Sequence, residues 1–382
     1  MKLDILHTIA SIDEHYGGPS RSVPALCKTL NDLGLETQIL TQQMGCTIGG
    51  IDFPVSVSPY TWQIGNNLKL GGYFRRDLQR LVKQYPHLIL HDHGLWLPIN
   101  HHVARIANIF QIPRIVSLRG MLTDWTFQYG SFKKKIIWEL FQKQDLKDAN
   151  FIHVTSVQEA EDIRKLGMQN DLVLIPNGVS IPKKMPNKKR NNQQFTALFL
   201  SRIHPKKGVL SLIEAWSKVK PPNWELLIVG IDEDGYEKKL KEEVARLGLI
   251  EVIKFLGPVK DSEKWNIYRS ANLFVLPSKS ENFGIVIAEA LAAELPVITT
   301  KATPWHELLS VGCGWWIDTS TEALVTTLKI ATEMPSEQLE AMGKKGKQLV
   351  TNKYSWKKAG YDMLEFYDWI QGRGGRPNTV LT

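Results

Sequence analysis

The sequence predicts an α/β protein made of two doubly wound parallel sheets, and three observations support this fold class. Short apolar runs alternate with segments of helical periodicity along most of the chain, which is the order typical of parallel sheets. The stretch 181–194 is rich in Lys, Asn and Pro and poor in apolar residues, so it is predicted to link two domains. The chain has 382 residues, which is enough for two domains that each bury a substantial core.

Composition excludes several classes of protein. Hydrophobic residues make up 43% of the chain and charged residues 23%, as is ordinary for a globular protein. No run of about twenty apolar residues occurs, so no membrane-spanning helix is expected. The first residues resemble a strand rather than a signal peptide. Cys27, Cys46 and Cys313 are isolated, which predicts neither a disulfide framework nor a zinc site and favours a cytoplasmic setting.

The net charge of +8 raises the question of an anionic partner. Basic residues cluster at Lys133–Lys135, at Lys183, Lys184 and Lys188–Arg190, and at Lys344, Lys345 and Lys347. These clusters are either solvated faces and a polar linker, or patches that adhere to anionic lipid at a membrane surface. Nucleic acid is a third interpretation, but no nucleic-acid-binding motif accompanies the charge.

The elements of the first domain, residues 1–180, follow from its apolar runs and its helical spacings. Strands are predicted at Leu3–Leu6, Gly34–Thr41, Leu88–Leu90, Pro113–Ser117, Phe151–Thr155 and Leu172–Ile175, and helices at Ser22–Leu33 and Phe132–Asp148.

Candidate site residues follow three of these strands, at the strand ends where α/β folds place their ligand-binding and catalytic residues. Gly17 and Gly18 follow the first strand and form either a plain turn or a close approach to a ligand. His93 follows Leu88–Leu90 and is either a structural histidine or a site residue, and Asp92 beside it is expected to make local turn hydrogen bonds. Arg119 follows the next strand and suits either an anion or a structural ion pair.

The second domain, residues 195–354, shows the same alternation. Strands are predicted at Phe195–Leu200, Leu226–Val229, Ile253–Leu256, Leu273–Leu276 and Val297–Thr300, and helices at Val209–Trp216, Ile285–Ala293, Ser336–Val350 and Ser355–Ile370. The segment 372–382 is expected to be a frayed tail.

Two loops of the second domain carry the groups expected to bind an anion. Arg202 and Lys207 lie between a strand and a helix, where two cations suit a diphosphate and the charge that develops on it as a bond to it breaks. Glu281 precedes a helix that starts after Gly284, and backbone N–H groups at a helix start also suit phosphate oxygens. Glu289 lies inside this apolar helix, and a carboxylate there needs a partner such as a sugar or ribose hydroxyl. The alternative for each loop is a charged surface turn.

The segment from Leu276 to Ile298 resembles the Glu-x7-Glu signature of retaining glycosyltransferases of the GT4 family. The shared residues include Leu-Pro-Ser before Glu281, Phe283-Gly284, Glu289-Ala290 and Pro-Val-Ile after the helix. The loop from Arg202 to Gly208 resembles the family's Arg-x-x-x-x-Lys-Gly element. The resemblance covers nearly the whole chain and implies the GT-B fold, in which two Rossmann-like domains face each other across a cleft. It also implies that the C-terminal helix, about 355–370, crosses back to the first domain.

The resemblance assigns a role to each candidate residue. It implies that Glu281, His93, Arg202 and Lys207 take part in catalysis, with Glu281 on the donor sugar and His93 beside it. The donor is expected to contact Gly17, Gly18, Arg202, Lys207, Val259, Glu281, Asn282, Phe283, Gly284 and Glu289, with Glu289 on the ribose and Val259 beside the base. Relatives carry a His near Arg119, so this chain departs from the pattern there, and Arg119 is the candidate acceptor contact.

We therefore expect a retaining glycosyltransferase of the cytoplasm or the inner membrane face, acting in cell-surface polysaccharide synthesis. The expected donor is a nucleotide sugar such as a UDP- or GDP-sugar, and the expected acceptor is a glycan or a lipid-linked glycan. No cofactor and no metal are expected, because no third ligand for the histidines can be assigned from the sequence and no Asp-x-Asp metal motif is recognised in it. Two alternatives remain at this point: a GT-B nucleotide-sugar epimerase, and a basic nucleic-acid-binding protein.

Overall fold

The computed structural model describes residues 3–13, 17–44, 53–58, 62–64, 68–70, 72–122, 132–182, 184–187, 194–232 and 234–382. Cys46, Lys183 and Lys188–Arg190 lie outside these residues, as does half of the predicted linker 181–194. The chain divides into unit 1, residues 1–178 with 356–382, and unit 2, residues 179–355. Each unit is described by itself below.

Unit 1 contains ten strands and seven helical segments in the described residues, in the following order. The strands are β1 (Ile5–Ser11), β2 (Thr37–Gln43), β3 (Val55–Val57), β4 (Trp62–Ile64), β5 (Leu68–Leu70), β6 (Ile89–His93), β7 (Arg114–Ser117), β8 (Phe151–Val154), β9 (Asp171–Leu174) and, near the C-terminus, β16 (Val380–Leu381). The helices are α1 (Pro19–Asp32), α2 (Gly72–Gln84), α3 (Pro98–Phe110), α4 (Phe132–Ile137), α5 (Lys143–Lys147), α6 (Val157–Lys165) and α14 (Trp356–Ile370).

The main sheet of unit 1 is parallel except at one edge. Its order is β16-β9-β8-β7-β6-β1-β2-β3, with β16 antiparallel to β9, while β4 and β5 form a separate antiparallel pair. The chain leaves β1 toward β2 on one side and returns as β6 on the other, so the strand order reverses between β1 and β6. A ligand crevice is expected at the carboxyl ends of strands where such a reversal occurs.

Three predictions for unit 1 are wrong. The segment 372–382 is not frayed: Val380 is buried and pairs with Val173, and the backbone N–H of Leu174 donates to the Thr379 carbonyl at 2.8 Å. The strand predicted to end at Leu90 continues through His93, because β6 stays paired with both β1 and β7 that far. The single helix predicted for Phe132–Asp148 is interrupted by a π-helical turn at Trp138–Gln142.

Unit 2 contains six strands and seven α-helices in the described residues. The strands are β10 (Phe195–Leu200), β11 (Trp224–Val229), β12 (Ile253–Gly257), β13 (Leu273–Leu276), β14 (Val297–Thr300) and β15 (Gly314–Ile317). The helices are α7 (Val209–Val219), α8 (Tyr236–Arg246), α9 (Asp261–Ser270), α10 (Ile285–Ala292), α11 (Glu307–Val311), α12 (Thr321–Glu333) and α13 (Ser336–Lys353).

The sheet of unit 2 is parallel throughout, in the order β12-β11-β10-β13-β14-β15. Its central strands β13 and β14 are buried along their whole length and β10 is buried in its middle, as expected when helices cover both sides of a sheet. The strand order reverses between β10 and β13, and the loops after these two strands carry Lys207 and Glu281. This fold therefore brings two residues 74 positions apart in sequence to one edge of the sheet.

The start of the predicted linker belongs to unit 2. Ile181 and Met185 pack against the core of that unit, and the N–H of Val179 donates to the Tyr354 carbonyl at 2.8 Å. On the unit 1 side, a Cβ on Gly178 would lie 2.5 Å from the Cα of Trp356, so only glycine fits where α14 begins. In the part of the chain described, no helix is long and apolar enough to cross a membrane.

Candidate active site

Lys207 and Glu281 form an ion pair at the carboxyl edge of the sheet of unit 2. Lys207 ends a short 3-10 turn after β10, and its Nζ binds Oε1 of Glu281, which follows β13. Both side chains are about nine-tenths buried, with 10% and 11% of their surfaces exposed. The cation predicted for a diphosphate and the carboxylate predicted for a sugar thus contact each other directly.

Backbone packing fixes the position of Lys207. A Cβ on Gly208, the next residue, would lie 2.1 Å from the Pro277 carbonyl oxygen, so the loop after β10 can approach the loop after β13 only with glycine there. Gly208 also has a φ of 75°, which glycine adopts without strain. The N–H of Lys279 then donates to the Lys206 carbonyl at 2.8 Å, which joins the two loops.

Two more cations lie close to this ion pair. Burial lowers the pKa of Lys206, while the charge of Glu281 acts in the opposite direction and the charges of Lys207 and Arg202 add to the lowering. Arg202 itself is exposed. The loop after β10 therefore holds three positive side chains around one carboxylate.

The turn before α10 presents backbone N–H groups beside Glu281. Gly284 caps α10 with a φ of 73°, and the first N–H groups of a helix have no partner within that helix. Phe283 anchors this turn to the core of unit 2. It is 5% exposed, and its carbonyl accepts the indole N–H of Trp305 at 2.6 Å. Asn282 lies between Glu281 and Phe283 in the same turn.

Glu289 has partners within the protein, so the partner that its buried carboxylate needs is present without a ligand hydroxyl. It is 8% exposed, its Oε1 accepts from Lys264 Nζ at 2.8 Å, and its Oε2 accepts the Tyr268 hydroxyl at 3.0 Å. Both partners lie on α9. Burial, and then the adjacent carboxylate, raise the pKa of Tyr268, which therefore stays protonated and donates. Val259 lies just before α9 and packs against the core of unit 2.

Unit 1 places Gly17 and Gly18 after β1, at the reversal of its own sheet. Gly17 has a φ of 97°, and Gly18 is the N-cap residue of α1. A Cβ on either residue would meet no atom within 4 Å among the residues described, so open space adjoins both.

His93 ends β6 on the same edge of the sheet and contacts two side chains. Its Nδ1 lies 3.3 Å from Arg119 Nη2, and its Nε2 lies 2.9 Å from Nδ1 of His7 on β1. A guanidinium only donates, so His93 Nδ1 is the acceptor and the His93 proton lies on Nε2. His93 then donates to His7, whose own proton lies on Nε2, and that atom is buried without a partner among the residues described.

Arg119 is held in a strained backbone conformation. Its φ is 55°, in the left-handed region that residues other than glycine rarely adopt. Its Nη1 donates to Oδ1 of Asn177 at 2.5 Å, and the charge of the Glu159 carboxylate also acts on the guanidinium. Burial lowers the pKa of Arg119 to about 10, which leaves it charged at neutral pH.

A second histidine chain crosses the same sheet and is fully satisfied. His153 Nε2 donates to the Ile175 carbonyl at 2.9 Å, so its Nδ1 accepts from Ser117 at 2.6 Å. Ser117 in turn accepts from His91 Nε2 at 2.7 Å, and His91 Nδ1 accepts the hydroxyl of Tyr367 at 2.6 Å. Each nitrogen and hydroxyl in this series of hydrogen bonds, from Tyr367 on α14 to the Ile175 carbonyl after β9, is therefore assigned as a donor or an acceptor.

The structure supplies the third histidine that the sequence could not. Possible ligand atoms of His7, His91 and His93 lie within 4.8 Å of one another, and all three residues are buried. Burial lowers the pKa values of all three, so each imidazole is neutral. However, both nitrogens of His91 and both of His93 already have hydrogen-bond partners, and Arg119 places a positive charge next to His93. The donor set therefore fits a hydrogen-bonded cluster better than a cation.

Two further expectations need correction. Asp92 makes no local turn: it lies inside β6, accepts the hydroxyl of Thr8 at 2.7 Å and accepts from Asn100 at 3.0 Å. The second is the expectation that the sequence has no Asp-x-Asp motif. Asp232-Glu233-Asp234 has this spacing, which can indicate a metal site. Asp232 Oδ1 accepts the N–H of Glu237 at 3.0 Å, and Glu233 lies outside the described residues.

Four residues near these groups were not selected from the sequence. His7 and Asn177 contact His93 and Arg119, while Lys206 and Lys264 adjoin Glu281 and Glu289. For Lys206 the signal was present, since it lies beside Lys207. The other three lie on elements whose neighbours are set by the sheet order, which the local sequence does not encode.

Two family models match the chain in sequence. Residues 17–178 match the "Glycosyl transferase 4-like domain" and residues 180–349 match "Glycosyl transferases group 1". The phosphatidyl-myo-inositol mannosyltransferase of Mycobacterium tuberculosis is 29% identical over 343 residues, which is 86% of this chain and 85% of that protein. A probable sucrose-phosphate synthase of Thermosipho melanesiensis is 28% identical over 59% of this chain and 56% of that protein.

Solved structures share the fold over nearly the full length. The sucrose-phosphate synthase of Thermosynechococcus elongatus has a TM-score of 0.82 at 18% identity, covering 97% of this chain and 99% of that one. Anabaena HepE, solved with UDP and glucose, has a TM-score of 0.77 at 19% identity, covering 96% and 100%. These likenesses confirm the GT-B fold class expected from the sequence.

Proposed function

The chain belongs to the group 1 glycosyltransferases, and from this premise we propose that it transfers a sugar from a nucleotide diphosphate to a hydroxyl group. The acceptor is a glycan or a lipid-linked glycan of a surface polysaccharide or glycolipid. Relatives support this assignment: one is a phosphatidyl-myo-inositol mannosyltransferase, and another, from Rhizobium meliloti, is a lipopolysaccharide core biosynthesis mannosyltransferase.

The reaction breaks the bond between the anomeric carbon and the β-phosphate oxygen. The electron pair stays on the phosphate, a bond forms from the acceptor oxygen to the anomeric carbon, and the acceptor hydroxyl releases its proton. We propose retention of configuration, as the family resemblance implies. Negative charge grows on the leaving diphosphate, so preorganised cations and N–H donors next to it lower the barrier.

The observation that carries the proposal is the ion pair of Lys207 and Glu281 at the sheet reversal of unit 2. Lys207, Arg202 and the N–H groups at the start of α10 suit the diphosphate, whereas the Glu281 carboxylate suits sugar hydroxyls. Glu289 is assigned to the ribose, and it would share its carboxylate between a ribose hydroxyl and its partners Lys264 and Tyr268.

For unit 1 we propose that His93, Gly17 and Gly18 line the side where the sugar and the acceptor meet. His93 is neutral and its Nδ1 accepts from Arg119, so it can orient a reacting group but is not a free base. Arg119 is the candidate contact for an anionic part of the acceptor, because it remains charged at the edge of the sheet.

Contact with a membrane surface is a separate part of the proposal. Ile136 and Leu140 are 43% and 73% exposed, next to Lys134 and Lys135 on the same helical segment. Apolar side chains beside cations suit the boundary of an anionic bilayer. Failure of the protein to co-sediment with anionic vesicles at low salt would remove this part alone.

The experiment that tests the function is a thermal-shift screen against UDP-, GDP- and other nucleotide sugars, followed by product analysis of the best donor. We expect nucleotide sugars of one base to raise the unfolding midpoint, and the sugar of the best donor to be transferred to an added acceptor. A rearranged nucleotide sugar formed without acceptor would instead identify an epimerase. Steeply salt-dependent DNA binding with no response to any nucleotide sugar would overturn the proposal.

A further inference from the structure

The ion pair of Lys207 and Glu281 poses a problem for a diphosphate site, because the cation is already neutralised by a carboxylate. The two side chains are in direct contact and about nine-tenths buried, so solvent screens them weakly. Any anion that binds Lys207 must also come close to the negative charge of Glu281. This cost depends on how much negative charge the incoming group carries.

The charges around Glu281 favour a dianion. Arg202, Lys206 and Lys207 supply three positive charges and Glu281 one negative charge, so the net charge is about +2. The diphosphate of a nucleotide sugar is esterified at both ends and carries two negative charges. The nucleoside diphosphate released by transfer has a free terminal phosphate, whose second ionisation near pH 6 adds almost a full third charge at neutral pH.

Sugar hydroxyls and a free phosphate also differ as partners of a carboxylate. An ionised carboxylate only accepts hydrogen bonds, and a hydroxyl can donate to it. A terminal phosphate dianion has no proton to offer, so it can only repel the carboxylate. Lys207 has three N–H donors and can contact both anions, but Glu281 already offsets its positive charge.

We propose that Glu281 discriminates the nucleotide-sugar donor from the nucleoside diphosphate product. With the donor bound, the sugar hydroxyls occupy the carboxylate and the dianion matches the local charge. After transfer, Glu281 loses its hydroxyl partners, repels the extra charge and re-forms its pair with Lys207, which weakens product binding. This inference deepens the proposed function and rests on it.

Calorimetric titration with UDP and with GDP tests the inference on the full chain. The nucleotide that the wild type binds more tightly is then titrated into Glu281→Gln, which keeps the shape of the side chain and removes its charge. We expect this nucleoside diphosphate to bind roughly fivefold to tenfold more tightly, a change of about 1 kcal/mol. The donor sugar nucleotide is expected to gain less or to lose affinity, because its hydroxyl contacts weaken.

A control variant shows whether the gain belongs to this ion pair. Glu225→Gln removes a carboxylate that pairs with Lys254 at 2.8 Å near the amino end of β11, and it should leave nucleotide affinity unchanged. Glu281→Ala serves as a second charge-removing variant if the glutamine variant loses its native circular dichroism.

The outcomes separate the inference from the function on which it rests. If the wild type binds neither UDP, nor GDP, nor the nucleoside diphosphate of any donor found in the thermal-shift screen, the proposed function and the inference both fail. If the wild type binds one of them and Glu281→Gln binds it equally or more weakly, the inference alone is wrong. A gain that also appears in Glu225→Gln would likewise overturn it, because it would reflect the net charge of the protein.

Discussion

The hydroxyl of Tyr367, on the last helix of the chain, donates to Nδ1 of His91 at 2.6 Å in the middle of the sheet of unit 1. Both side chains are fully buried. The two residues are 276 positions apart, so this bond fixes the C-terminal helix to a strand formed early in the sequence. The direction of this bond follows from the Ile175 carbonyl at the other end of the hydrogen-bonded chain, because a carbonyl can only accept.

Replacing Tyr367 with Phe should therefore destabilise unit 1. The change keeps the ring and leaves His91 Nδ1 as a buried acceptor without a donor, which costs about 1–3 kcal/mol. Urea denaturation followed by circular dichroism measures the loss. Tyr361→Phe is the matched control, because Tyr361 lies on the same helix and is 48% exposed. Equal stability of the two variants would show that the bond contributes nothing.

Replacing Lys207 with Ala should reduce turnover by about 10²–10³-fold while the fold persists. The cation that offsets charge on the leaving diphosphate is removed, and Glu281 loses its ion-pair partner. Steady-state kinetics with the identified donor gives the loss in kcat. Lys254→Ala, which also breaks a lysine–glutamate pair but at an exposed position, should keep normal kinetics. Normal turnover in Lys207→Ala would remove Lys207 from the diphosphate site.

Acid should destabilise unit 1 through its histidine cluster. Burial lowers the pKa values of His7 and His153 to about 3, below the usual 6.5, so the unfolded chain binds more protons than the folded chain between these values. Their stabilising contribution is present above pH 6.5 and declines as the pH falls, by up to about 2 kcal/mol for each histidine at pH 5. Asp92 acts in the opposite direction, because burial raises its pKa to about 6.

Burial also raises the pKa values of Asp145 and Glu159, which act in the same direction as Asp92. The lowered histidines still outnumber these three acids, since the pKa values of His91 and His93 are lowered along with those of His7 and His153. We expect the midpoint of thermal unfolding to fall between pH 7 and pH 5. His153→Gln should reduce this pH dependence, because one of the titrating groups is gone. An unfolding midpoint that is unchanged or higher at pH 5 would contradict the assignment of neutral, buried imidazoles.

The C-terminal strand should be sensitive to a buried charge. Val380→Asp places a carboxylate at a position that is 8% exposed and paired with β9, and a loss of about 2–4 kcal/mol is expected. Leu381→Asp is the control, since Leu381 is 36% exposed and precedes the last residue. Similar unfolding midpoints for the two variants would mean that the tail does not pair in solution.

We expect sugar transfer to continue in the presence of a chelator. The cationic side chains around Glu281 supply the charge that a divalent ion would otherwise provide. Assays with and without EDTA, with manganese added back, measure the dependence. Loss of activity in EDTA that manganese restores would contradict this prediction, and Asp232 and Asp234 would then be the first candidates for metal ligands.

Local sequence was enough for the parts of the fold that carry strong periodic signals. Strand β13 was predicted with its observed bounds, and the helix after Gly284 was predicted to within one residue. Strand β2 was predicted too early, at Gly34, because its start depends on pairing between Thr37 and Ile5. Short strands such as β3 and β5, and helices such as α2 and α3, were not predicted.

The sequence by itself determined the alternation of strands and helices, the family and the identity of the residues proposed to bind the donor. These features are recorded in runs of neighbouring residues, whose spacing reports burial on one face of an element. Only the tertiary structure decided that Lys207 binds Glu281, that His7 adjoins His93 and that the tail forms a strand. The physical reason is that a parallel sheet joins strands far apart in the chain, so the partner of a buried polar group is set by strand order and not by its neighbours in sequence.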